Sequence, residues 1–110
     1  MVPNTLAPPC LQAGLSKTDV LDVIKLGAIA APMFALKGPS MAQQSYPTAF
    51  PLKHQQKDMR LALELGDKAE QQLPVAAAAN ELYKQATAKG RGDDDFSAVL
   101  EALIANHGKE

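Results

Sequence analysis

"FPLKHQQKDMRLALELG", residues 50–66, decides how this 110-residue chain is read. Its apolar residues do not alternate as in a strand; they recur at helical spacing. At about 100° per residue, Leu52, Met59 and Leu63 fall on one side, with Leu61 and Leu65 roughly opposite. Lys53, Arg60 and Glu64 form a polar strip between them, so the helix is expected to pack on two faces. His54 and Asp58 share the face of Leu61 and Leu65, one and two turns earlier, and Lys57 lies at its edge. That face is apolar at one end and ionisable at the other, the pattern of a helix that runs from a core into a cleft. The spacing is equally that of solvated pairs, which stabilise a helix by only about 0.2–0.5 kcal/mol each. Spacing alone leaves both readings open.

Working outward, helix signals continue in both directions. "SKTD", Ser16 to Asp19, has capping-box spacing ahead of Val20, Leu21, Val23, Ile24 and Leu26, with Gly27 as a stop. A helix is predicted over 17–26. Pro32 opens a second helix that Gly38-Pro39 is expected to close. "QQSYPTAFP" reads as a loop, with Pro51 suited to the first turn of the helix that follows. Beyond Gly66, "DKAEQQL" is a polar connection, and "PVAAAANELYKQATAKG" is a helix from Pro74 ending at Gly90. Val75, Ala79, Leu82 and Ala86 make its apolar stripe, and four consecutive alanines permit close approach of another helix. A last helix is predicted over 96–106, with Asp95 as its N-cap. Alternating runs are absent and β-branched residues few, so the fold class is all-α with about five helices. Residues 1–14, with three prolines, read as a flexible lead-in to a single helical domain over 15–110.

Composition excludes several classes of function. Eleven basic and twelve acidic residues are spread along the chain, against a nucleic-acid reader driven by bulk positive charge. Cys10 is the sole cysteine and His54 and His107 the sole histidines, so neither an internal disulfide nor a closed Cys/His zinc site can form. No apolar run approaches the ~20 residues that cross a bilayer, and the start lacks the basic region and long apolar core of a secretory signal. A cytoplasmic location is expected, with an organellar one left open.

"FPLKHQQKDMRLALELG" followed by "LPVAAAANELYKQATAKGRGDDDFSAVLEAL" resembles the C-terminal helical domain of the β-hydroxyacid dehydrogenases, the family of 3-hydroxyisobutyrate and 6-phosphogluconate dehydrogenase-like enzymes. "LGAIAAPMFALKGPSM" and "SYPTAFPLKHQQKDMRLAL" are similar to the plant glyoxylate/succinic semialdehyde reductases. The resemblance covers residues 14–105. It implies a domain that meets a Rossmann domain across a cleft, takes part in dimerisation, and serves NADP(H)-dependent reduction of a small aldehyde acid. It assigns Lys57 of the "KD" pair to the cofactor near its nicotinamide end, and Phe50 and Asp58 to the substrate end. A homo-oligomer and a separate Rossmann domain are the partners it implies; charge balance and hydropathy point to no nucleic acid and no membrane.

Two of the family's motifs have no counterpart in these residues. G-x-G-x-x-G, whose bare backbone admits a pyrophosphate to a helix N-terminus, is missing. Gly90-Arg91-Gly92 runs instead into Asp93, Asp94 and Asp95, which repel phosphate. The motif that carries the family's proton-donating lysine is missing too, so no catalytic residue is assigned and the chain alone is expected to be inactive. A non-catalytic helical oligomerisation module, or an enzyme remnant, is the alternative. The Arg91-Gly92-Asp93 tripeptide is a chance string, and the acidic run is no calcium loop, since Ile104 stands where a bidentate glutamate is needed. Ser97 reads as a helix-start residue rather than a nucleophile, Cys10 as an unactivated thiol, and Met33, Met41 and Met59 as packing residues.

Overall fold

The structure is a computed structural model and describes residues 13–104. It contains helices α1 (Lys17–Leu26), α2 (Pro32–Gln43), α3 (Leu52–Lys68) and α4 (Pro74–Ala88), then a 3-10 helix over Phe96–Ala102. Among the described residues there is no strand, only an isolated antiparallel bridge between Pro51 and Asp95. Among the described residues the fold is all-α with five helices, as the sequence predicts. The chain divides into two compact units, one holding α1 and α2 and one spanning Tyr46–Ala102. Most of the lead-in over 1–14, including Cys10, lies outside the described residues, as do His107 and the predicted helix end at Asn106.

In the first unit, α1 has its predicted bounds, and the Ser16 hydroxyl accepts the Asp19 N–H at 3.3 Å as the capping spacing requires. The predicted end of α2 at Gly38-Pro39 is corrected, because the helix runs through both to Gln43. Gly38 serves packing: a Cβ there would stand 2.7 Å from Leu21 Cδ2, so α1 and α2 approach where the side chain is missing. The helix is stopped by Gln44, left-handed at φ 52°, whose N–H reaches Met41 O while Ser45 N–H reaches Ser40 O at 3.0 Å. This is a Schellman closure with glutamine where glycine is usual. The Lys17 ammonium also donates to the Ala42 carbonyl, tying the start of α1 to the end of α2.

The second unit repeats that device twice. Helix α3 continues past Gly66 to Lys68 and closes at Glu70, φ 56°, with Glu70 N–H on Asp67 O and Gln71 N–H on Gly66 O at 2.8 Å. Helix α4 closes at Gly90, φ 86°, with Gly90 N–H on Thr87 O and Arg91 N–H on Ala86 O. Gly66 is therefore an interior helix residue rather than a boundary. It is buried because the closure folds the chain back over it: an added Cβ would lie 2.9 Å from both the Gln71 carbonyl oxygen and Leu73 Cδ1. Gly66→Ala is expected to lower stability by about 1 kcal/mol or more in urea unfolding. Overpacking costs of about 1–3 kcal/mol exceed the ~1 kcal/mol that alanine gains in a helix. A midpoint that holds or rises would show that Leu73 and the Gln71 peptide give way freely.

The core of this unit joins Tyr46, Leu52, Ala86 and Ala98, with Tyr83, Val99 and Ala102 packed against it. Gln56 and the buried Asn80 cross-link α3 and α4 through a 3.0 Å hydrogen bond, which satisfies a polar group in the interface. The small Ala86 lets Leu52 reach the centre, where it is fully buried. Two expectations need correction. Helix α3 is covered on the Leu52, Met59 and Leu63 side, but Leu61 and Leu65 are exposed, so it packs on one face and not two. The stripe of α4 is buried at Ala86 and partly at Ala79 and Leu82, whereas Val75, in the first turn, stands 83% exposed.

The terminal helix is 3-10 over seven residues, not the predicted α-helix. Asp95 does open it, with Ala98 N–H on Asp95 O at 2.9 Å. At three residues per turn Ser97 and Leu100 are eclipsed, and both are buried.

Candidate functional site

The residues singled out by sequence all lie in the second unit, and two elements position them. The loop ahead of α3 carries Phe50, and the first two turns of α3 carry His54, Lys57 and Asp58. The loop is not a free connection. Its backbone runs beside residues 92–96, with Leu52 N–H on Asp94 O at 2.8 Å, Lys53 N–H on Gly92 O at 2.9 Å and Phe96 N–H on Phe50 O at 2.9 Å. Asp95 N–H in turn donates to Tyr46 O at 3.2 Å. The leading N–H groups of α3 are thereby satisfied by main-chain carbonyls, which accounts for donors a helix start would otherwise leave open.

Asp95 binds this arrangement together and is only 1% exposed. One carboxylate oxygen, Oδ1, accepts the N–H groups of Ala49 at 3.0 Å and Phe50 at 3.1 Å. The other, Oδ2, accepts the Ser97 hydroxyl at 2.7 Å and the Ser97 N–H at 3.0 Å. Burial by itself would raise the pKa of this carboxyl. The donors from Ser97, Ala49 and Phe50 outweigh burial and hold it well below the ordinary 3.8. Its negative charge also reaches Tyr83, whose phenol is pushed up by burial first and by Asp95 second.

A second polar group flanks the same loop. The Tyr46 hydroxyl donates to Glu101 Oε2 at 2.6 Å, and Arg91 reaches both Asp94 at 3.1 Å and Glu101 at 3.4 Å. The Arg91 guanidinium also lies 5.9 Å from the Tyr46 ring centroid. Burial, then the bond to Glu101, raises the Tyr46 phenol far above its usual range, so it stays a donor at any physiological pH.

Phe50 is 39% exposed, its ring held edge-on to Phe96 at 6.4 Å and tilted against His54 at 6.0 Å. Lys57 and Asp58 form an ion pair at 3.4 Å, each side chain about half exposed. Lys53 pairs with Asp93 at 2.8 Å, and hydrogen bonding from Lys53 lowers the Asp93 carboxyl. Phe50 and His54 are thus brought into contact, and Lys57 and Asp58 into a pair one turn further along α3. An aromatic ring, an imidazole, an ammonium and a carboxylate then stand on exposed surface over a rigid base. Such a group can stack on a planar ring, meet an anion and accept a hydroxyl proton. Sequence reading missed Asp95 as the residue that holds Phe50. Its only signal was Asp-Phe-Ser ahead of a helix, which announces a cap and says nothing of a partner 45 residues away.

Residues 10–103 match the sequence family described as "NAD-binding of NADP-dependent 3-hydroxyisobutyrate dehydrogenase". The chain belongs to the 3-hydroxyisobutyrate dehydrogenase family. Among curated members, it is 59% identical over 99 residues to glyoxylate/succinic semialdehyde reductase 2, chloroplastic, of Arabidopsis thaliana, covering 90% of this chain and 28% of the relative. It is 62% identical over 92 residues to glyoxylate/succinic semialdehyde reductase 1 of the same plant, covering 84% and 32%. It is also 47% identical over 88 residues to the cytokine-like nuclear factor N-PAC of Anopheles gambiae, covering 80% and 16%. The chain therefore spans less than a third of the length of these relatives. The crystal structure of a 3-hydroxyisobutyrate dehydrogenase from Salmonella typhimurium superposes with a TM-score of 0.78 at 24% identity, over 84% of this chain and 32% of that one, and shares its fold. Within the 3-hydroxyisobutyrate dehydrogenase family this chain thus corresponds to a helical segment, and no helix among its described residues is long and apolar enough to cross a membrane.

Proposed function

We propose that this chain is a helical part of an NADP(H)-dependent reductase of small aldehyde acids, of the glyoxylate/succinic semialdehyde type, and that Lys57 meets the cofactor while Phe50 and Asp58 border the substrate. The observation that carries this reading is the exposed Phe50, Lys57 and Asp58 group on a loop and helix that are locked from beneath. The side chains fit one edge of a nicotinamide cofactor: a half-exposed ammonium for an anionic or carbonyl oxygen, and a half-open aromatic ring for a planar one. They do not supply a pyrophosphate cradle, and the acidic turn at Asp93 to Asp95 disfavours one. The bound cofactor would supply hydride. This chain's residues bind and orient, and a separate Rossmann domain completes the cleft.

Calorimetric titration of the purified chain with NADPH tests the assignment, with Lys57→Ala beside it. Saturable binding is expected, weakened about tenfold by the substitution, the loss of roughly 1.4 kcal/mol for one charge-assisted contact. Equal binding by the variant would remove Lys57 from the cofactor site, and no binding by a folded sample would remove the cofactor from this chain. The same sample is expected not to reduce glyoxylate, because its sequence does not contain the motif that carries the family's proton-donating lysine. Measurable turnover of NADPH with glyoxylate would overturn that expectation.

A second reading, a helical self-association module, is favoured by Leu61, Leu65 and Val75, which present apolar surface to solvent from α3 and α4. Sedimentation at micromolar concentration tests it: a stable monomer counts against the module.

A further inference from the structure

We propose that Asp95 is the positioning residue of the candidate site, its carboxylate fixing Phe50 so that the ring sets which small aldehyde acids fit. This rests on the reading of Phe50 as substrate-facing. Three holds converge on Phe50 from Asp95 and Phe96. Its N–H is taken by Asp95 Oδ1, its carbonyl by the Phe96 N–H at 2.9 Å, and its ring by the Phe96 edge at 6.4 Å. The carboxylate cannot turn without cost, because Oδ2 is pinned twice by Ser97. The neighbouring Ala49 N–H shares Oδ1, so the peptide plane leading into Ala49 is set as well.

The contrast between base and ring gives the arrangement its meaning. Asp95 and Ser97 are buried and saturated with hydrogen bonds, while the side chain they support is more than a third exposed. A loop that served the core alone would turn its aromatic ring inward. Here the main chain is fixed and the ring is left facing solution beside His54, one turn of helix before Lys57 and Asp58. The depressed carboxyl keeps the hold in place through the physiological range. A ring held to a fraction of an ångström discriminates by length and shape, whereas a loose one accommodates.

The test is amide hydrogen exchange by NMR on the full chain and on Asp95→Asn and Ser97→Ala, combined with titration by 4-hydroxybutyrate and glycolate, the stable alcohols that correspond to the two aldehyde acids. Asp95→Asn keeps an acceptor for one side but turns an NH2 group toward the other. Exchange at Ala49 and Phe50 is expected to quicken at least about tenfold in Asp95→Asn, and less in Ser97→Ala, while mid-helix amides at Leu61 to Leu63 hold. In the native chain one hydroxy acid is expected to shift Phe50 resonances in preference to the other, and Asp95→Asn to level that preference. If exchange at Ala49 and Phe50 stays the same, or rises in step with the helices, Asp95 is a stability residue and the proposal is overturned. If exchange rises locally but neither hydroxy acid perturbs Phe50 or Lys57 in the native chain, the substrate reading itself fails, and the specificity role fails with it.

Discussion

Asp95→Ala is expected to lower the stability of the Tyr46–Ala102 unit by at least about 3 kcal/mol, or roughly 15 °C in melting temperature for a domain of this size. The substitution removes one acceptor pair and orphans four donors: the N–H groups of Ala49, Phe50 and Ser97 and the Ser97 hydroxyl. Each buried donor left unsatisfied costs about 1–3 kcal/mol, although water entering the vacated space recovers part of the sum. Asp95→Asn should fall between the two proteins, because its neutral amide keeps an acceptor for only one of the two donor pairs, those of Ala49 and Phe50 or those of Ser97, and presents N–H groups to the other. The sign of the pH dependence follows from the depressed carboxyl. The stability held by Asp95 is fully present above its ordinary pKa of 3.8 and drains away as pH falls through the lower folded-state value. Native melting curves should therefore drop below pH 4, and those of Asp95→Ala should drop less. A native and variant pair with parallel acid profiles, or a melting loss of only a degree or two, would mean that this carboxylate does not close the structure.

Leu52→Ala is expected to cost about 3 kcal/mol by chemical denaturation, within the ~2–5 kcal/mol range for emptying a fully buried leucine site. Leu52 is 0% exposed and packs with Tyr46, Ala86 and Ala98. Its neighbours are a phenol tied to Glu101 and two methyl groups that cannot grow to fill the space, so the cavity should persist. Leu52→Met, close in volume, should cost less than about 1.5 kcal/mol. Leu65→Ala is the matched control on the same helix. At 68% exposure it should change stability by no more than about 0.5 kcal/mol. Equal losses at positions 52 and 65 would show that the second face of α3 is covered after all. The main chain of Leu52 bonds to Asp94, beside Asp95, so the two large substitutions should not be additive.

Much of this was legible in the order of residues. Ser16 announced α1, Pro32 and Pro74 announced the starts of α2 and α4, and Gly90 announced the close of α4, because each acts through its own covalent geometry or a bond to a near neighbour. Where two glycines misled, the reason is tertiary. Gly38 and Gly66 look like stops but lie inside helices, where Leu21 and Leu73 occupy the space a Cβ would need. The true stops, Gln44 and Glu70, carried no signal, since neither side chain prefers the left-handed backbone that the closure imposes on it.

The candidate site divides in the same way. Periodicity put His54 and Asp58 on one face of α3 with Lys57 at its edge, and the sequence by itself determined the helix, the family and the kinds of side chain on offer. Only the tertiary structure decided that Leu61 and Leu65 stay uncovered, that the last helix winds as 3-10, and that the Phe50 N–H bonds to Asp95. The physical reason is range. Helical spacing and capping act across three or four residues and are written locally. The bond from Asp95 to the Phe50 peptide joins positions 45 residues apart, and it exists only once α3, α4 and the terminal helix have closed a core around Leu52.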